Sequence, residues 1–233
     1  MRLCILQPAY LPWLGYFDRI ARSDLHIVLD HVEADLNSKT KFANRNKVRT
    51  KDGWTWLTVP LRTKGRRGSL FLEQIELDEA SGWREKHWRT LKGCYGKAPF
   101  FGDHAPFLGD VYGRPWDRLV PLTRALTDYF LRTLGMKTEV RFSSEMGVPG
   151  AKSELILNLC RSVGATTYLS GIFGRDYLDL ESFRAAGIEV VFHEYQHPQY
   201  PQVHPGFEPY MSVVDLLFSA GPDSLAVLTG ERS

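Results

Sequence analysis

Cysteine is scarce. The chain of 233 residues holds three, Cys4, Cys94 and Cys160, scattered and each in an apolar neighbourhood. An odd, widely spaced set supplies neither a disulfide framework nor a zinc site, and it reads as buried thiols of a reducing compartment. No apolar run approaches the length that spans a bilayer, and the first strand pattern begins too soon to leave room for a signal peptide. These features predict a cytoplasmic protein without a membrane span. Net charge is also small: 29 Lys and Arg against 27 Asp and Glu leave +2. That balance argues against a dedicated nucleic-acid binder and leaves room only for local basic patches. There is no internal repeat, no low-complexity tract and no linker, so residues 1–233 are expected to form one domain.

What is present is α/β order. RLCIL, residues 2–6, is a short apolar run of the kind a buried parallel strand shows. After a loop, Leu14, Phe17, Ile20 and Ala21 recur at helical spacing, with Asp18, Arg19 and Arg22 on the opposite side. DLHIVLD, 24–30, is a second strand, completing a βαβ unit. In the middle, WTWLTVPL (54–61) and LEQIEL (72–77) alternate as strands do, and Gly82 to Tyr95 reads as a helix. PFFGDHAPFLGDVYGRPW reads as a long aromatic loop, followed by a helix from about Trp116 to Leu134. The last third holds a helix through Leu155 and Cys160 ended by Gly164, the strands ATTYLSG and IEVVFHEY, and an amphipathic helix SVVDLLFSAG. The expected fold is α/β, a mostly parallel Rossmann-like sheet with a β-hairpin and a helical insertion.

In such sheets ligands sit beyond the carboxyl ends of the strands, so the loops there hold the candidate residues. The run QPAYLPWLGY places Gln7, Tyr10, Trp13 and Tyr16 where a helix N-terminus offers free N–H groups, and Gly15 would admit a ligand close to the backbone. The bland alternative is a core plug shaped by two prolines. SGIFGRDYLD carries Ser170, Arg175, Asp176 and Asp179; Arg175 suits a phosphate or carboxylate, and Asp176 or Asp179 a sugar hydroxyl, a metal or a base role. Its alternative is an internal Arg–Asp pair. The serine is not a nucleophile elbow, since the second glycine is missing at the required spacing.

The acidic stretch Asp30, His31, Glu33, Asp35 runs into a basic one in which Asn44 and Arg45, beside Phe42, stand out. Charged runs are more often solvated faces. FHEYQHPQYPQVHPGFEP carries His193 and His197 on a strand and proline-rich segment, which suits a lid or substrate wall better than a zinc site. The stretches RNKVRTK and RTKGRR, with Trp54 and Trp56 between them, would suit an RNA contact or be two solvated turns.

The segments QPAYLPWLGYFDRI, LHIVLDHVE, RNKV, TVPL, KAPFF, YLSGIFGRDYL, HPQYPQ and SVVDLLFSAG together resemble the WbqC-like family over nearly the whole chain. The resemblance implies a role in bacterial surface-polysaccharide or secondary-metabolite biosynthesis: modification of a sugar nucleotide or similar precursor, with transfer of an acyl or aminoacyl group to an amine. The opening is also similar to that of HIGH-motif nucleotidyl transferases, whose histidines meet ATP phosphates. Here the tetrad is Trp13-Leu14-Gly15-Tyr16: the glycine is kept and both histidine positions are aromatic. ATP with magnesium is the cofactor that second likeness implies, and the aromatic replacements remove its cationic donors.

Two readings follow. In one, the chain is a transferase or ATP-dependent ligase in which Tyr10, Trp13 and Tyr16 form an aromatic wall, Arg175 and Arg45 meet phosphates of a nucleotide or nucleotide-sugar, and Asp176 takes a proton from an incoming amine or hydroxyl. A tRNA or carrier-protein donor fits an aminoacyl-transfer version. In the other, the same cleft of a non-catalytic protein holds a glycan or partner. The concentration of Arg and Asp at strand ends favours catalysis.

Overall fold

The computed structural model describes residues 1–34, 42–62 and 70–230. Asp35 and most of RTKGRR therefore lie outside the described residues. The chain runs β1 (Arg2–Leu6), α1 (Leu14–Ala21), β2 (Leu25–Val28), β3 (Arg45–Thr50), β4 (Gly53–Thr58), α2 (Trp83–Tyr95), α3 (Phe101–Gly113) and α4 (Leu119–Thr133). It continues through β5 (Glu139–Phe142), α5 (Lys152–Ser162), β6 (Thr167–Gly171), α6 (Leu180–Ala185), β7 (Glu189–His193), α7 (Val213–Ala220) and α8 (Ser224–Thr229). Five strands form one parallel sheet in the order β5-β2-β1-β6-β7, and β3 and β4 form a separate antiparallel hairpin. The α/β, Rossmann-like architecture with an added hairpin and helices is as the sequence predicts.

The period of two in β1 divides the core. Leu3 and Ile5 face a cluster with Leu155, Ile156 and Leu159 of α5 and Phe183 of α6. Cys4 and Leu6 face the opposite cluster, with Leu14, Phe17 and Ile20 of α1, Leu126 and Phe130 of α4 and the buried helix α7. Helices thus cover both faces, as a parallel sheet requires.

Three expectations are corrected. The stretch read as an aromatic loop is α3, with Pro106 inside it; burial of His104, Leu108, Val111 and Tyr112 along one face offsets the lost backbone bond. LEQIEL is a 3-10 turn over Leu72–Gln74, with lone bridges Leu61–Leu77 and Glu76–Arg118 in place of a strand. Helix α7 is buried from Val213 to Phe218, so it is a central helix with no wet face. The edge strand β5, unrecognised in sequence, pairs Leu25 with Glu139 through Val28 with Phe142.

Candidate functional site

From β1 the chain builds outward through β2 to β5, then returns past β1 to add β6 and β7 on the other side. The crossover helix α1 lies on one face and α5 and α6 on the other. Strands β1 and β6 therefore part at their carboxyl ends, the topological switch point where ligands of open α/β sheets bind. Gln7 stands exposed at the end of β1. On the neighbouring strands, Gly171 of β6 and His193 of β7 are register partners.

Helix α1 sends two consecutive charged residues toward these strand ends. Asp18, only 1% exposed, accepts a hydrogen bond from His193 Nε2 at 2.5 Å and one from Arg22 Nε at 2.8 Å. Burial works to raise the Asp18 carboxyl, but the hydrogen bonds from His193 and Arg22 and the charge of Arg22 outweigh it and hold the group below its ordinary range. In the neutral His193 ring, a bond to an ionised carboxylate fixes the proton on Nε2 and leaves Nδ1 as an acceptor. Among the described residues Nδ1 makes no hydrogen bond, and it is not among the enclosed unpartnered atoms. The imidazole stacks at 5.9 Å on Tyr195, whose hydroxyl donates to the Leu228 carbonyl. Arg19, the next residue on α1, lies against Gly171. Asp18 and Arg19 escaped the sequence reading because they fall on the polar side of a short amphipathic helix.

The residues of the opening run divide between core and rim. Tyr10 is fully buried, its hydroxyl 2.8 Å from His87 Nδ1 and 2.6 Å from Tyr112 Oη. Tyr16 is buried and packs edge-on against Phe17 and His26. The space above Gly15 is filled by the Trp13 indole, which lies where a β-carbon would project. That indole caps the first turn of α1 and contacts the rings of Tyr195 and Tyr210.

Near the end of β6, Ser170 is buried under Gly174 and donates to the Gly171 carbonyl. Arg175 is exposed, pairs with Glu194 at 3.0 Å and stacks over Phe192. Asp176 is exposed beside it. Asp179 caps α6 through the backbone and hydroxyl of Ser182, which hold its carboxyl below the usual range. Large apolar side chains stand open on this same turn: Ile172, Phe173, Tyr177 and Leu180, with Phe173 72% exposed.

Elsewhere, Asn44 ties the hairpin base through the Val59 carbonyl. Arg45 lies over Trp56 and Lys47 over Trp54, each at 4.3 Å, on one outward face of the hairpin. His197 Nδ1 donates to the Pro198 carbonyl, the ring packs among Tyr200, Phe207 and Tyr210, and burial lowers its pKa. In the segment HPQYPQ, Tyr200 and Gln202 both donate to Asp215 of α7 at 2.8 Å, anchoring it to the buried helix. Asp30, at the end of β2, accepts from Ser143 and Ser144 beyond β5, and His31 Nδ1 lies 2.6 Å from Ser143 Oγ. Among the described residues, no group of three or more His, Cys, Asp or Glu is placed to hold a metal, and no helix is long and apolar enough to cross a membrane.

Comparison with known proteins finds relatives over nearly the whole chain. A protein of Mycobacterium tuberculosis, "Uncharacterized protein Rv1507c", is 34% identical over 225 residues, 96% of this chain and 95% of its own length. No solved structure matches. The family model described as "WbqC-like protein family" matches residues 7–227, from the opening loop to α8. The chain belongs to the WbqC-like protein family.

Proposed function

We propose that the chain is a small-molecule transferase of bacterial surface-polysaccharide or secondary-metabolite biosynthesis, binding a nucleotide or nucleotide-sugar over the carboxyl ends of β1, β6 and β7. In this reading it acylates or aminoacylates an amine. The observation that carries it is the Asp18–His193 hydrogen bond at the strand ends. An imidazole held by a buried carboxylate, with its other nitrogen unengaged, is equipped as a general base. The amine nitrogen attacks the activated acyl carbon, its proton passes to His193 Nδ1, and the donor's leaving group departs. Gln7, Arg175 and Asp176 stand at the same end of the sheet and supply polar contacts to the substrate, while Trp13 with Tyr195 and Tyr210 forms the aromatic wall. A tRNA or carrier-protein donor is the version favoured by the cationic, tryptophan-bearing hairpin face at Arg45 and Lys47. The exposed Phe173 and Tyr177 favour the alternative, a non-catalytic protein that holds a glycan or partner.

The test is a thermal-shift panel of ATP, UDP-, dTDP- and GDP-sugars, acyl-CoA thioesters and short glycans, with and without magnesium. A ligand that binds only the native state raises the melting temperature by mass action. Stabilisation by a nucleotide-sugar is expected, and His193→Asn should keep that shift while abolishing product detected by mass spectrometry with an amine acceptor. Stabilisation by short glycans alone would overturn the enzymatic reading.

A further inference from the structure

Among the described residues, none forms an ion pair with the Arg19 guanidinium. Its Nε is enclosed without a hydrogen-bond partner, and neither Nη1 nor Nη2 donates to any described residue. Its backbone carbonyl accepts from Ser23 Oγ. Asp18 next to it is already engaged by His193 and Arg22.

The guanidinium bears on the titration of Cys4, Tyr16, His26, Tyr168 and Tyr177. Burial pushes the Cys4 thiol up to about 12 and the His26 imidazole down to about 4, and it raises all three phenols. Every one of these groups is uncharged at neutral pH. The guanidinium thus sits half-buried beside these neutral groups, a position that an anion would complete.

Its position is built. A β-carbon on Gly171 would lie 2.9 Å from Nη2 and 3.1 Å from Nη1, so the guanidinium rests against the end of β6 in space that the glycine leaves clear. The terminal nitrogens, unlike Nε, are not among the enclosed atoms, so they remain open to an incoming ligand. Leu6, at the end of β1, is level with Gly171, because β1 and β6 pair Arg2 with Thr167 and Leu3 with Tyr168. The exposed Gln7 follows it.

We propose that Arg19 is an oxyanion seat at the switch point between β1 and β6, taking a phosphate or carboxylate of the small molecule bound there. The planar fork of a guanidinium matches two oxygens of such a group. This assignment rests on the same site as the transferase reading and adds the substrate feature it must carry. Gln7 adds a neutral donor beside the fork.

Isothermal titration of the full chain with pyrophosphate and with succinate tests the seat and separates the two oxyanion sources. The wild type should bind one of them, and Arg19→Gln should weaken that binding by about tenfold or more, the loss of a charge-assisted pair. Gly171→Ala keeps the charge but places a methyl against the fork, and should weaken binding in the same direction. Arg141→Gln, on the exposed edge strand, should leave it unchanged. Circular-dichroism melts verify folding; should Arg19→Gln fail to fold, Gly171→Ala decides. Absence of any oxyanion binding by the wild type, or binding within twofold in both Arg19→Gln and Gly171→Ala, would overturn the seat. Nucleotide-sugar binding indifferent to both variants removes the seat and leaves the transferase reading. Arg19-dependent pyrophosphate binding without any nucleotide-sugar response does the reverse.

Discussion

Asp18 and His193, 175 residues apart in the chain, meet in a hydrogen bond of 2.5 Å between the crossover helix α1 and the end of β7. The same carboxylate receives Arg22, whose guanidinium also donates to the Thr229 carbonyl of α8. One buried acid thus joins the first helix, the last strand of the sheet and the last helix. The pair is both a clasp and the most reactive-looking group at the strand ends, and pH separates the two roles.

A carboxyl whose folded pKa is depressed stabilises the native state above its unfolded value, near 3.9, and that contribution is lost as pH falls through the folded value. Asp18 is such a group. Urea midpoints of the wild type should therefore fall more steeply below about pH 4 than those of Asp18→Asn, whose clasp is already weakened at pH 7. Asp18→Asn should lose about 3 kcal/mol at neutral pH, since it breaks a buried charged network. Equal acid slopes in the two proteins would show that Asp18 does not hold the clasp.

Gly15 and Trp13 give a cleaner packing test. The indole occupies the space in which a β-carbon at position 15 would project. Gly15→Ala should destabilise by about 1–3 kcal/mol through overpacking, although alanine is the better helix former. Trp13→Ala opens that space, so adding Gly15→Ala to it should cost nothing or stabilise slightly. A double-mutant cycle by chemical denaturation reads the coupling. Additive effects would mean that the indole does not sit on the helix.

How far all this was legible in the sequence depends on what each residue had to do. RLCIL is a strand residue for residue because a continuous apolar run between helices has few other uses. Helix α3 was hidden by Pro106 and by Gly102, Gly109 and Gly113, and only the burial of His104, Leu108 and Val111 against the neighbouring helices reveals it. Trp13, Gly15 and His193 stood out as chemically expensive, and the structure gathers Trp13 and His193 around Tyr195. Asp18 and Arg19 could not be picked out, since helical periodicity alone assigns charged residues to solvent. Here α1 is enclosed between the sheet and α8, and that enclosure is a tertiary fact.

Tyr10 tests the core role of the opening loop. Its hydroxyl bridges His87 and Tyr112, both buried, and the imidazole is kept neutral by burial, with its pKa at about 4. Tyr10→Phe keeps the ring and removes the bridge, leaving two buried polar groups without a partner, at a cost of about 1–3 kcal/mol. The expected result is a lower urea midpoint with an unchanged denaturant slope and unchanged ligand-dependent thermal shift. A lost shift at full stability would instead place the Tyr10 hydroxyl against the ligand.

Asp215 should show the opposite pH behaviour to Asp18. It lies fully buried in the first turn of α7, where Tyr200 and Gln202 donate to Oδ2 and Oδ1 has no partner. Burial raises its pKa, against the hydrogen bonds from Tyr200, Tyr95 and Gln202 and the charge of Arg49, which is itself bound to the carbonyls of Thr50, Gly53 and Pro205. A carboxyl held above its unfolded value keeps its proton longer in the native state. Its contribution to stability is fully present below the unfolded pKa and is lost as pH rises through the folded one. Asp215→Asn, which cannot ionise, should therefore remove a component of stability that declines upward from about pH 4. Its amide oxygen still accepts from Tyr200 and Gln202, so the variant should be nearly as stable as the wild type at low pH and gain on it as pH rises. Asp215→Ala, which strands both donors, should lose about 2–4 kcal/mol throughout. Denaturant midpoints from pH 3 to 8 decide the matter: a wild-type advantage over Asp215→Asn that grows with pH would mean that the carboxylate is ionised and paired with Arg49 in the native protein.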